Sequence, residues 1–133
     1  TDNGDFMKSF STYDGMAVKL LKDKKIDIVI ITSENSKIVL ERAKKLKIND
    51  VIIGEKDKLS RIKRISVEKK INLNQIAYIG DDLNDIEVLK VVGLSALTIN
   101  SPIKNKLEVD YITKRKGGDG AFREFVDLIL KDK

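Results

Sequence analysis

Cysteine and histidine are both absent from this chain. Their absence removes disulfides, structural zinc, thiol nucleophiles, Ser-His-Asp triads and haem-type ligation. Any bound metal must be held by oxygen, which selects a hard cation such as Mg2+. Proton transfer falls to Asp, Glu, Lys or Tyr. Proline occurs once, at Pro102, a plausible first turn of a short helix. Aromatic residues make up 5 % of the chain, with no series on which successive bases could stack. No apolar run approaches the roughly 18 residues of a membrane span, and no signal-peptide pattern opens the chain. A cytoplasmic location without a membrane partner is the expectation.

What is present suits one compact domain: 133 residues, 41 % of them hydrophobic. The net charge of +5 tempts a nucleic-acid reading. The lysines, however, gather at 22–25, 44–47 and 69–70, the predicted ends of three helices, where cations complement the helix dipole. The 21 acids are interspersed among them. No nucleic-acid partner is expected.

Strand-like and helix-like segments alternate. Extended segments are predicted at 4–10, 26–31, 51–53, 76–79, 94–99 and 109–112. Helices are predicted at 14–21, 35–46, 57–70, 83–92 and 121–130. Such alternation argues an α/β, Rossmann-like three-layer sandwich whose mostly parallel sheet is covered on both faces. In that fold the C-terminal tips of the strands share one crevice.

Three tips carry polar groups. The strand at 26–31 delivers Thr32 and Ser33, then Glu34. The strand at 51–53 leads through Gly54 to Asp57 and Lys58. The strand at 76–79 delivers Asp81 and Asp82, with Asp85 one turn further on. Two adjacent carboxylates cannot pair with each other, so they need a cation or water. A hydroxyl, an ammonium and a carboxylate pair fit a phosphoryl group bound together with Mg2+. Taken singly, Thr32 or Ser33 reads as a helix cap, Lys58 as a surface lysine and the aspartates as first-turn acids. Jointly, each after a strand, they read as a site.

Ile-Ile-Thr-Ser-Glu-Asn-Ser (30–36), Asp-Lys-Leu (57–59) and Gly-Asp-Asp-Leu-Asn-Asp (80–85) resemble motifs II, III and IV of the haloacid dehalogenase-like phosphatases. Residues 4–10 with Asp14-Gly15, and Gly-Gly-Asp-Gly-Ala-Phe-Arg-Glu (117–124), resemble the cap-less sugar-acid phosphatases. These act on 3-deoxy-manno-octulosonate 8-phosphate or N-acylneuraminate 9-phosphate, and similar domains are fused to some N-acylneuraminate cytidylyltransferases. The resemblance implies that Thr32 binds the transferring phosphate and that Lys58 neutralises phosphate and nucleophile. It implies that Asp81 ligates Mg2+ with Asp82 and Asp85 in support. Asp14, Gly15, Ser33 and Glu34 would lie near a phosphorylated sugar-acid substrate. Arg123 and its glycine turn would form a tail reaching a neighbouring subunit of a homotetramer. In octulosonate enzymes the position of Glu34 is typically arginine after glycine. Ser33-Glu34 is closer to the neuraminate type and points to a nine-carbon sugar acid.

Members of that family open with an apolar strand ending in Asp-x-Asp. Its first Asp is the nucleophile and its second the general acid/base. Neither Asp2 nor Asp5 follows such a strand. In a 3-2-1-4-5 sheet the strand is central, between 26–31 and 76–79, so without it two inward edges are unpaired and the core is open. The expectation is a fragment of a longer product or a start-site truncation, with weak Mg2+ affinity and little or no turnover by itself. The alternative is a non-catalytic oligomerisation module or the tail of a cytidylyltransferase. A receiver-like signalling domain is disfavoured by the Gly-Asp-Asp-x-x-Asp order and the late glycine-rich segment.

Overall fold

A computed structural model describes residues 12–131, with side chains from residue 15 on. The predicted segment at 4–10 lies outside the described residues. The order is α1 (Thr12–Asp23), β1 (Val29–Ile31), α2 (Lys37–Lys45), β2 (Asp50–Ile52), α3 (Lys58–Glu68), β3 (Ala77–Gly80), α4 (Ile86–Leu89), β4 (Leu94–Leu97), β5 (Tyr111–Ile112) and α5 (Ala121–Leu130). Single 3-10 turns precede β3 at Leu73–Gln75 and α4 at Leu83–Asp85.

Every strand pair is parallel, but the strands form two sheets. In one, β1 pairs with β2, Ile30 opposite Val51. In the other, β4 lies between β3 and β5, with Gly80 opposite Leu97. Among the described residues β1 and β3 do not pair. Between them lies a cavity of about 520 Å3 lined by both strands, by Ile62 and Ile65 of α3, and by Phe122 and Phe125 of α5. The core is divided accordingly. Ala17, Leu21 and Val126 join α1 to α5, and Val18, Ala43 and Ile48 pack beside β1 and β2. Leu89, Leu97 and Ile103 form a separate cluster under Tyr78.

Several predicted elements come out shorter, for local reasons. The helix expected over 83–92 begins as a 3-10 turn, because the Asp85 side chain folds back to the end of its own strand. The strand expected over 94–99 stops at Leu97, where Thr98 accepts from the Ser101 N–H and starts a turn. Residues 109–112 contribute only two residues to the ladder, since the Asp110 carboxylate, not its backbone, takes the N–H and hydroxyl of Ser95. Pro102 sits in hydrogen-bonded turns, not in a helix.

The lysine-rich helix ends have a second role. Lys25, Lys47 and Lys70 adopt left-handed backbone, with φ of 59°, 61° and 56°, a conformation that costs an L-residue about 1–2 kcal/mol. Each follows a helix where glycine is the usual terminator. Lys47→Gly is expected to raise stability by about 0.5–1 kcal/mol in urea unfolding, the relief of strain exceeding the entropy glycine adds to the unfolded chain. A loss of stability would contradict this account of the helix ends.

Candidate active site

The site is assembled at the C-terminal tips of β1, β2 and β3. Thr32 extends β1: its N–H donates to the Ile52 carbonyl and its carbonyl accepts from Glu55. Backbone bonds on both sides thus lock a residue that is 1 % exposed. Its Oγ1 accepts from the Glu34 N–H at 3.1 Å, a local turn. Neither Thr32 nor Ser33 caps α2, whose N-cap position is Ser36. The Thr32 hydroxyl proton is therefore not committed to the helix.

Lys58 is the first residue of α3. Asp57 is its N-cap, accepting from the Ser60 N–H at 3.1 Å and from the Ser60 hydroxyl at 2.8 Å. That cap fixes the direction in which the chain enters the helix and turns Lys58 inward. Its ammonium is buried and donates to Asp85 Oδ1 at 2.9 Å. A surface-lysine role is thereby excluded.

The three aspartates after β3 have three different environments. Asp85 is buried. Its Oδ1 accepts from Lys58 and from the Tyr78 hydroxyl, at 2.9 and 2.5 Å, and its Oδ2 from the backbone N–H groups of Asp81 and Asp82, at 3.0 and 3.2 Å. Four donors occupy its acceptor positions. Gly80 makes this possible: a Cβ there would stand 2.7 Å from Asp85 Cβ. Asp82 turns its carboxylate to the Leu83 N–H at 2.7 Å and caps the 3-10 turn. Asp81 is in no ion pair among the described residues. Burial, and next the Asp85 charge, push its carboxyl up to about 6 against the pull of Lys58. Burial, then Asp85, also hold the Tyr78 hydroxyl well above its ordinary pKa, so it remains a donor.

Thr32, Lys58, Asp81 and Asp85 line the cavity between β1 and β3. Two bonds tie its walls at this end: Lys58 to Asp85, and Asn84 Nδ2 donating to Ser33 Oγ at 3.0 Å. Among the described residues no three acidic side chains converge to hold a metal unaided. Asp81 remains as the carboxylate in no ion pair among the described residues, in a chain without histidine or cysteine to add nitrogen or sulfur ligands. That suits Mg2+, which takes one or two carboxylates and completes its shell with water and phosphate oxygens.

Of the other expected site residues, Gly15, Ser33, Glu34, Asp82 and Arg123 do not line this cavity. Glu34 contributes its backbone N–H to Thr32 and its carbonyl to Gly54. Asp14 lies in α1, its side chain outside the described set, and Gly15 packs towards Leu46 of the α2 end. Arg123 pairs with Asp127 at 2.9 Å along α5. Tyr78, Asn84 and Ser101 were not singled out from the sequence. Tyr78 reads there as one more residue of the strand at 76–79. Ser101 donates to the Asp81 carbonyl at 2.9 Å and holds the tip of β3.

Glu124 ties the start of α5 to the segment that follows β5. Its carboxylate accepts from the Tyr111 hydroxyl and from the N–H groups of Lys114 and Arg115, at 2.5 to 3.0 Å. Burial opposes its charge, but those donors together hold its pKa below the usual 4.5. A depressed carboxylate stabilises above its unfolded pKa and loses that contribution as pH falls through the folded one. Glu124→Gln is expected to destabilise the protein by about 2 kcal/mol at pH 7. The gap to the native chain should narrow below pH 4.5 in acid titrations of unfolding. A gap independent of pH would remove the charge from this explanation.

A family model described as haloacid dehalogenase-like hydrolase matches residues 32–125. The 3-deoxy-D-manno-octulosonate 8-phosphate phosphatase of Yersinia pestis is 36 % identical over 129 residues, 97 % of this chain and 69 % of that protein. A crystal structure of the Moraxella catarrhalis octulosonate phosphatase, in complex with magnesium, phosphate and KDO, superposes with a TM-score of 0.86 at 38 % identity, covering 92 % of this chain and 70 % of that one. The cobalt-bound enzyme of Haemophilus influenzae superposes with a TM-score of 0.84 at 32 % identity, over 92 % of this chain and 71 % of its own. The chain thus spans about two thirds of the length of these relatives.

Proposed function

The chain belongs to the haloacid dehalogenase-like hydrolases, and on that premise we propose that it forms the larger part of a Mg2+-dependent phosphatase of sugar-acid phosphates. The reaction adds water to a phosphomonoester and releases the sugar acid and inorganic phosphate. The observation that carries this reading is the meeting of Thr32, Lys58 and Asp81 on one cavity, with Asp85 as the buried counter-ion. Thr32 has a hydroxyl proton to donate to a phosphate oxygen. Lys58 spends one N–H on Asp85 and has two for phosphate and nucleophile. Asp81 holds Mg2+, which when bound neutralises charge on the phosphate oxygens. Asp82 and Asp85 shape the loop that presents it.

None of these three aspartates is the nucleophile in this reading, since each has another task. We assign that role to an Asp-x-Asp strand lying in the cavity between β1 and β3, supplied by a segment other than those described. The relatives named above are octulosonate 8-phosphate phosphatases. They favour an eight-carbon substrate over the nine-carbon one suggested by Ser33-Glu34. Any contact of Arg123 with substrate would be made across subunits of a homotetramer, which light scattering tests. The deciding assay uses the chain extended ahead of Thr1 by an apolar strand ending in Asp-x-Asp. With Mg2+ it should release phosphate from octulosonate 8-phosphate, and Asp81→Asn should abolish the release. An extended chain that folds yet hydrolyses no sugar-acid phosphate would end this reading.

A further inference from the structure

Thr98 follows the last residue of β4 and is 1 % exposed. Among the described residues its Oγ1 is the one buried side-chain polar atom without a hydrogen-bond partner. The described residues hold no other such orphan. The buried hydroxyls of Thr32, Ser95, Ser101 and Thr113 all have partners. A buried, unpaired hydroxyl costs stability, and valine would fill the same space without that cost. Thr98 also lines the cavity that holds Asp81 and Lys58. The register pairs Gly80 with Leu97, so the next residues outward, Asp81 and Thr98, are neighbours at the tips of β3 and β4.

We propose that Thr98 Oγ1 is a positioning group for the divalent cation at Asp81, accepting a hydrogen bond from one of the cation's water ligands. The inference rests on the metal role given to Asp81 above. Mg2+ keeps several waters, and each needs acceptors for its protons. The carboxylates nearby have little left to offer: Asp85 already serves four donors, and Asp82 caps its turn. Thr98 is the vacant acceptor beside Asp81. Its distance by one strand suits a contact through water, the place from which a neighbouring group orients a metal shell. Ser101, three residues on, anchors the Asp81 carbonyl, so the loop after β4 braces both layers of the site.

The test uses Mn2+ as the probe, read by paramagnetic broadening of the Asp81 and Thr98 amide resonances of the 133-residue chain. Broadening detects weak binding and needs no turnover. Thr98→Val is expected to weaken Mn2+ binding by about 10-fold or more while raising the melting temperature of the metal-free protein. Thr98→Ser, which keeps the hydroxyl, should restore the affinity. Asp81→Asn should remove specific broadening in every background. If Thr98→Val binds Mn2+ as the native chain does while Asp81→Asn does not bind, this inference falls and the phosphatase reading stands. If Asp81→Asn leaves binding unchanged, or the native chain shows no specific broadening, the metal role of Asp81 fails and this inference falls with it.

Discussion

Replacing Lys58 by methionine is expected to destabilise the protein by about 3–5 kcal/mol, because it strands a buried carboxylate. Both partners of the Lys58–Asp85 pair are within a few per cent of full burial. Methionine matches the lysine stem in length and leaves the packing largely filled, so the loss isolates the charge. A second substitution makes the argument sharper. In Lys58→Met with Asp85→Asn the amide oxygen can still accept from the N–H groups of Asp81 and Asp82, and its NH2 can turn to the Tyr78 hydroxyl, which is able to accept. The double variant should therefore be more stable than Lys58→Met alone, as urea midpoints will report. The bridges from Lys69 to Asp27 and Asp50 provide the contrast. Their carboxylates are exposed, and removing Lys69 should cost no more than about 1 kcal/mol. Equal losses at Lys58 and Lys69 would show that burial is not what gives the inner pair its weight.

Joining an apolar strand ending in Asp-x-Asp ahead of Thr1 is expected to add on the order of 5 kcal/mol or more of stability and to switch on phosphate release. β1 offers three residues and β3 four along facing, unpaired edges. Each buried backbone group left without a partner costs about 1–3 kcal/mol, so pairing both edges rivals the whole stability of an ordinary domain. The strand would also cover Ile28, Ile30, Ile79 and Phe122, which are only half-buried on the cavity wall. The surface exposed on unfolding therefore grows, and the urea m-value should rise with the midpoint. The same strand with both acids changed to Asn separates the effects: full stabilisation, no turnover. A rise in activity without a change in midpoint or m-value would show that the acids act from somewhere other than this cavity.

The sequence was most informative where one local pattern decided the outcome. The 121–130 helix agrees to the residue, because Gly120 and the Phe122, Phe125, Val126 stripe mark its start and inner face. The strand tips carrying Thr32, Lys58 and Asp81 were legible because alternating βα units place polar tips at one edge. Elements were misjudged where a side chain competes with the backbone. Asp110 takes over part of a strand ladder, and Asp85 bends a helix start, and neither competition has a signature in spacing alone. Distant partners were equally hidden. Nothing near Asn84 announces a bond to Ser33, 51 residues away. Thr98 gave no sign for another reason: in a row of strand residues a threonine reads as β-propensity, and only burial without a partner makes it conspicuous.

Gly80 and Asp85 amount to a single unit of inheritance. The carboxylate occupies the space any side chain at 80 would claim, so a larger residue at 80 is admissible only with a smaller one at 85. A smaller residue at 85 in turn deprives Lys58 of its counter-ion. Three positions spread over 28 residues of chain thus drift together or not at all. A library that randomises any one of them alone should return the parent residue, whereas one that varies all three at once has room for a different solution.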